Sequence, residues 1–124
     1  MEAEEIDVGT AHAMWKLGDP FVDVRTAEEY AAGHIPGALN VPVDRIAFRL
    51  DELPAGQIVT VCSMGNRSRR AADKLARLER TALSLRGGTK AWAAAGYPIE
   101  TGAAPEPVRS PGFLRGIWAR LRHS

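Results

Sequence analysis

One cysteine and one arginine stand five residues apart in Cys62-Ser63-Met64-Gly65-Asn66-Arg67, and Ser68 follows. A cysteine sulfur attacks as the thiolate, so its neighbours matter through what they do to its proton. Upstream, residues 58–61 form a short β-branched run that reads as a buried strand. From Ser68 onward, Ala71, Ala72, Leu75 and Leu78 recur at helical spacing, with charge on the other positions. The cysteine therefore stands where a strand gives way to a helix. The first N–H groups of a helix have no intrahelical acceptor, and the helix dipole places partial positive charge there. Successive loop N–H groups also converge into anion-binding nests, and Gly65 permits the positive φ that such loops use. Arg67 adds a full charge and a forked donor. Each feature favours the thiolate.

A lone cysteine after a β-branched run is ordinarily a small, inert core residue. Gly65, Arg67 and the helix start set Cys62 apart. With a single cysteine, neither an intramolecular disulfide nor a cysteine-based metal cluster can form. The same count suits a reducing compartment.

The elements that must position this loop follow along the chain. Its 124 residues suggest one domain with a real core. A net charge of +1 gives no reason to expect nucleic acid as a partner. Residues 1–5 read as a frayed, charged end and 6–8 as an edge strand. Thr10 is the expected cap of a helix over 11–17, with Ala11, Met14 and Trp15 on one face. His12, with no second histidine nearby, reads as a packing residue rather than a ligand. Residues 21–24 read as a buried strand. Thr26 and Glu29 have the spacing of a capping box, and Gly33 ends that short helix. His34 to Gly37 reads as a turn, and 38–41 as a strand.

Asp23, Arg25 and Glu29 are open to two readings, a catalytic charge cluster or a scaffold in which Arg25 paired to a carboxylate braces the turn, as His34 would by hydrogen bonds. Asp44 opens a helix with Ile46, Phe48 and Leu50 as apolar surface. Arg69, Arg70 and Lys74 form either a basic rim or a solvated face. Residues 82–85 are the last strand, and Gly87-Gly88 leads into a helix with Trp92 inward and Gly96 as its stop. Alternating strands and helices predict an α/β fold, an open, mostly parallel sheet with helices on both faces. The loop after residue 61 then lies at the carboxyl end of a strand, where such sheets place ligands.

Three segments carry a family resemblance. CSMGNRS (62–68) resembles the active-site loop of rhodanese-like sulfurtransferases. DVRTAEEYAAGHIPGALNVP (23–42) resembles the upstream signature and LRGGTKAWAAAGYPIE (85–100) the downstream one. The resemblance implies a five-stranded parallel sheet with the cysteine loop at its crevice. It implies Cys62 as nucleophile together with Arg67, and a donor held over Ser63, Met64, Gly65, Asn66 and Ser68. The implied reaction moves sulfur from thiosulfate or a small persulfide, through a Cys62 persulfide, to cyanide or a thiol, with no metal or organic cofactor. Ser63 stands where many members have a basic residue, which favours a persulfide over doubly charged thiosulfate. With no second cysteine, the acceptor is external, either a small molecule or an acceptor protein. Two other classes are set against this reading. A dual-specificity-type phosphatase or arsenate reductase resembles a loop one residue longer. A non-catalytic tethered binding module would not need the cysteine, glycine and arginine together.

The domain expectation is a catalytic unit over 1–100, a Pro/Gly-rich linker over 101–112 and a basic amphipathic segment over 113–124. No basic region followed by an apolar run opens the chain and no stretch is apolar enough to cross a bilayer, so a cytoplasmic location is expected. Phe113, Ile117, Trp118 and Leu121 fall on one helical face of the last segment and arginines on the other. Isolated helices under about 12 residues are marginal in water, so this one needs a surface: its own domain, a second subunit or an anionic membrane. Deleting residues 108–124 is expected to reveal which. Lower stability marks docking on the domain, a smaller particle marks a dimer, and lost liposome binding marks a peripheral membrane contact. If none of the three changes, the segment forms no such helix.

Overall fold

The computed structural model describes residues 4–105. The far end of the expected linker, and Phe113, Ile117, Trp118 and Leu121 with it, lie outside the described residues. In chain order the elements are β1 (Glu4–Ile6), α1 (Val8–Lys16), β2 (Phe21–Asp23), α2 (Ala27–Ala32), β3 (Leu39–Asn40), a 3-10 segment (Val43–Glu52), β4 (Ile58–Val61), α3 (Asn66–Arg77), β5 (Ala82–Leu85) and α4 (Gly88–Ala94). The five strands form one sheet in the order β1-β5-β4-β2-β3, and every pairing is parallel.

The central strand β4 explains the arrangement. All four of its residues, Ile58, Val59, Thr60 and Val61, are buried, as expected of a strand covered on both faces. Alternate side chains enter opposite layers. Ile58 and Val22 pack with Ala71 and Leu75 of α3 and with Val43 and Ile46 of the 3-10 segment. Val59, Val61 and Phe21 pack with Ala11 of α1, Tyr30 of α2 and Trp92 of α4. Each fully buried aliphatic side chain contributes roughly 1.5–3 kcal/mol before entropy is counted. The sheet thus has α3 on one face and α1, α2 and α4 on the other, as the alternation of elements predicts.

Several boundaries differ from the sequence reading. Glu4 and Glu5 belong to β1, because the edge of β5 supplies hydrogen-bond partners for their backbone. Glu5 also faces Arg69 and Arg86, each at 3.5 Å. Helix α1 starts at Val8, because Asp7 is the cap: its Oδ1 accepts the Thr10 N–H at 2.8 Å. Phe48 is 80 % exposed rather than core-facing. Positions two apart lie on different sides of a helical turn, so Phe48 points away from the buried Ile46.

Other expectations hold. The capping box is complete, with Thr26 Oγ1 accepting the Glu29 N–H and Glu29 Oε1 accepting the Thr26 N–H. Arg25 braces the end of β2: its Nη2 donates to Asp23 Oδ2 at 2.7 Å and to the Gly33 carbonyl at 2.7 Å. The buried His34 ring stacks on Tyr30 at 3.6 Å, and its Nδ1 lies 2.7 Å from the Tyr30 carbonyl. His12 stacks on Tyr97 at 3.8 Å.

Trp92 fixes α4 to the sheet. It is fully buried against Phe21, Trp15 and Tyr97, and its indole N–H donates to the Pro98 carbonyl at 2.6 Å. Trp92→Ala is expected to cost about 3–5 kcal/mol of stability, read by chemical denaturation.

Candidate active site

The loop after β4 lies at the carboxyl end of the sheet's middle strand. Gly65 caps α3 with φ +114° and directs the chain into the helix at Asn66. This geometry turns backbone donors onto the sulfur. Cys62 Sγ accepts the Gly65 N–H at 3.0 Å and the Ser68 N–H at 3.3 Å. The Ser68 hydroxyl lies 3.6 Å away. A second element presses on the loop from behind. The first turn of α4 donates Thr89 N–H to the Cys62 carbonyl at 2.8 Å and Lys90 N–H to the Ser63 carbonyl at 3.2 Å. Gly88 makes that approach possible: its φ is +61°, and a Cβ there would stand 2.2 Å from the Cys62 carbonyl oxygen.

Cys62 is only 2 % exposed. Burial by itself raises a thiol's pKa. Here the Ser68 hydroxyl and the N–H groups of Ser68, Gly65 and Met64 outweigh it and hold Cys62 below the ordinary thiol value. The Ser68 hydroxyl is shared. It lies 3.1 Å from the Gly65 carbonyl and 2.8 Å from the hydroxyl of Ser84 on β5. Thr60 Oγ1 donates to the Ser68 carbonyl at 2.8 Å. When Ser84 donates to Ser68 Oγ, the Ser68 proton is free to turn to the sulfur. In that orientation the hydroxyl adds a donor to the thiolate beside the loop N–H groups.

Arg67 does not point its charge at the sulfur alone. Its Nη1 and Nη2 donate to Glu29 Oε1 and Oε2 at 2.7 and 3.0 Å, a bidentate pair. Its Nη2 is also 3.5 Å from Ser63 Oγ. The Arg67 hydrogen bond, with the Thr26 backbone N–H second, holds the Glu29 carboxyl down at about 2. The same carboxylate pushes the Arg67 pKa up.

Of the seven residues singled out in sequence, Cys62, Gly65 and Ser68 meet at the sulfur, and Ser63 meets Arg67. Met64 contributes its N–H while its side chain is 64 % exposed. Asn66 is exposed at the first position of α3. Three residues of the site escaped the sequence reading. Glu29 was legible as a cap but not as the partner of an arginine 38 positions away. Gly88 had a signal, the Gly-Gly pair after a strand, which marks close backbone approach. Ser84 had none. A separate cavity beside Trp15, Asp19 and Phe21 lies at the amino end of β2, the opposite end of the sheet. Among the described residues no group of three or more His, Cys, Asp or Glu side chains could hold a metal ion. No helix there is long and apolar enough to cross a membrane.

Known proteins resemble this chain in sequence and in fold. The chain is 42 % identical over 87 residues to a sulfurtransferase of Allochromatium vinosum, covering 68 % of this chain and 78 % of that one. It is 41 % identical over 85 residues to an HTH-type transcriptional regulator of Mycobacterium tuberculosis, covering 66 % of this chain but only 38 % of the regulator. The crystal structure of a rhodanese-related protein from Thermoplasma volcanium superposes with a TM-score of 0.73 at 26 % identity, covering 78 % of this chain and 97 % of that one. The model of the rhodanese-like domain matches residues 7–95, most of the ordered sheet and the whole cysteine loop, and by that match the chain belongs to the rhodanese-like domain family.

Proposed function

We propose that this chain is a sulfurtransferase that moves a sulfane sulfur through a persulfide on Cys62. The donor is thiosulfate or a small persulfide, and the acceptor is cyanide or a thiol. The observation that carries the reading is the convergence of the Gly65 and Ser68 N–H groups on Cys62 Sγ at the start of α3. In the first step the thiolate attacks the donor's outer sulfur. An Sγ–S bond forms, the donor's S–S bond breaks, and its electron pair leaves with sulfite or a thiolate. In the second step the acceptor attacks the outer sulfur, and the electron pair of the Sγ–S bond returns to Cys62. No outside oxidant enters, and the two half-reactions imply ping-pong kinetics. The donors that hold the thiolate also face the anionic persulfide. The chain has no second cysteine, so the acceptor comes from outside, and a cysteine of a partner protein is one form it takes. Residues 1–100 would be the catalytic unit, with 101–112 a linker and 113–124 a segment that targets or docks it.

A second reading has one observation in its favour, the likeness to part of a transcriptional regulator. In that case the domain binds or senses reactive sulfur for a partner and does not turn it over.

Intact mass spectrometry after incubation with thiosulfate, or separately with glutathione persulfide, tests the proposal. One added sulfur is expected on the wild-type chain and none on Cys62→Ser, and addition of cyanide should remove it. A persulfide that no acceptor removes would favour the sensing reading. Turnover by purified Cys62→Ser would sink both.

The thiolate argument has its own check. Ser68→Ala removes a hydroxyl donor and keeps the fold's backbone contacts. It is expected to raise the Cys62 pKa and so to lower the rate of alkylation at neutral pH. Restoration of the wild-type rate at high pH should follow, since only the thiolate fraction has changed. A rate profile identical to wild type would remove Ser68 from the site.

A further inference from the structure

The active-site loop holds one full positive charge, on Arg67, and that charge is already matched. Glu29 reaches it from the first turn of α2 with two parallel hydrogen bonds, at 2.7 and 3.0 Å. The carboxylate is fixed from its own side as well, accepting from the Thr26 N–H at 3.0 Å and the Thr26 hydroxyl at 3.2 Å. A group held by four donors does not swing away when a ligand arrives. The side chains of Arg67 and Glu29 are 34 % and 36 % exposed, so the pair is partly open to solvent, and Arg67 Nη2 lies 3.5 Å from Ser63 Oγ of the loop. Ser63, next to Cys62 in the sequence, carries no charge.

We infer that Glu29 is a specificity-determining residue: by neutralising Arg67 it leaves the sulfur with uncharged donors, loop N–H groups and the Ser68 hydroxyl, and selects sulfur donors with at most one negative charge at the reacting end. The inference rests on the sulfurtransferase reading above and narrows its donor class to small organic persulfides over thiosulfate. The physical reason is simple. Neutral N–H groups and a helix N-terminus carry partial charge, enough to hold a thiolate or a singly charged persulfide. A dianion entering the same ring gains less from Arg67, because the carboxylate paired to the guanidinium offsets part of its attraction. Electrostatic attraction scales with the ligand's charge, so removing the carboxylate helps a dianion more than a monoanion.

Glu29→Gln is the informative change. The amide oxygen still accepts from Thr26, so the helix cap survives, while the negative charge is gone. Thermal unfolding of the variant establishes that the fold is intact. The ratio of kcat/KM for thiosulfate to that for glutathione persulfide is expected to rise about three- to tenfold, mainly through a lower KM for thiosulfate. A carboxylate that only positions Arg67 would instead lower both values together. An unchanged ratio, or a ratio that falls, overturns the inference.

A binding arm separates this result from the transfer reading. In the Cys62→Ser background, which cannot turn over, sulfate and nitrate serve as dianionic and monoanionic probes. Glu29→Gln should tighten sulfate more than nitrate, and equal effects overturn the inference. If the wild-type chain takes sulfur from neither donor, the transfer proposal fails, and the sulfate comparison still decides the role of Glu29.

Discussion

The site depends on one close approach. The backbone of Gly88 lies against the carbonyl oxygens of Cys62 and Ser63, where any Cβ would stand within 2.4 Å of both. Because it is that near, the first turn of α4 can donate Thr89 and Lys90 N–H groups to those two carbonyls. With the Ser63 carbonyl turned outward to α4, the Met64 N–H of the same peptide plane faces the other way, toward the sulfur. The peptide planes link the two directions: a chain that points its C=O groups one way points its following N–H groups the other. Trp92, buried three residues after Thr89, anchors the helix that applies this constraint. The geometry of the loop is thus set partly by a helix packed behind it.

The sheet order supplies the second constraint. β2 and β4 are neighbours, yet α2 after β2 and α3 after β4 lie on opposite faces. Two adjacent strands whose helices part in this way leave a crevice at their carboxyl ends. Cys62 enters it from one side on the β4 loop. Glu29 enters from the other on the first turn of α2. Their meeting through Arg67 is a consequence of topology, and it closes the crevice electrostatically while leaving it open to solvent. In the same stretch the Asp23–Arg25 pair fixes the turn that delivers Glu29, so a scaffold ion pair and a site ion pair are separated by only a few residues.

The sequence made the sheet legible because its periodicities are local. The β-branched run at 58–61, the capping box at Thr26 and Glu29, and the helical spacing after Ser68 each encode one element, and the parallel order follows from their alternation. What failed was local as well. Residues 46, 48 and 50 are all apolar, but alternate positions do not share a helical face, so Phe48 is exposed while Ile46 is buried. The early Thr10 looked like a cap, but Asp7 is the cap, and the N–H that it accepts is that of Thr10 itself. The site was legible only in its own loop. Glu29 and Ser84 act across strands, and no spacing rule ties them to Cys62.

Ser84 shows why such residues hide. It pairs in register with Thr60, and both are fully buried on the α3 face of an otherwise aliphatic layer. An apolar residue at either position would pack more simply, and a buried hydroxyl is costly unless its hydrogen bonds are met. These are met, but by partners that matter to the loop: Thr60 holds the Ser68 carbonyl, and Ser84 holds the Ser68 hydroxyl. The two hydroxyls therefore fix the third residue of α3 from below, while α4 fixes the loop from behind. A network whose members satisfy one another tolerates only a few orientations. The sulfur's donors are consequently set in place before any ligand arrives. In a tight loop that preorganisation, more than the single charge on Arg67, makes a buried cysteine acidic.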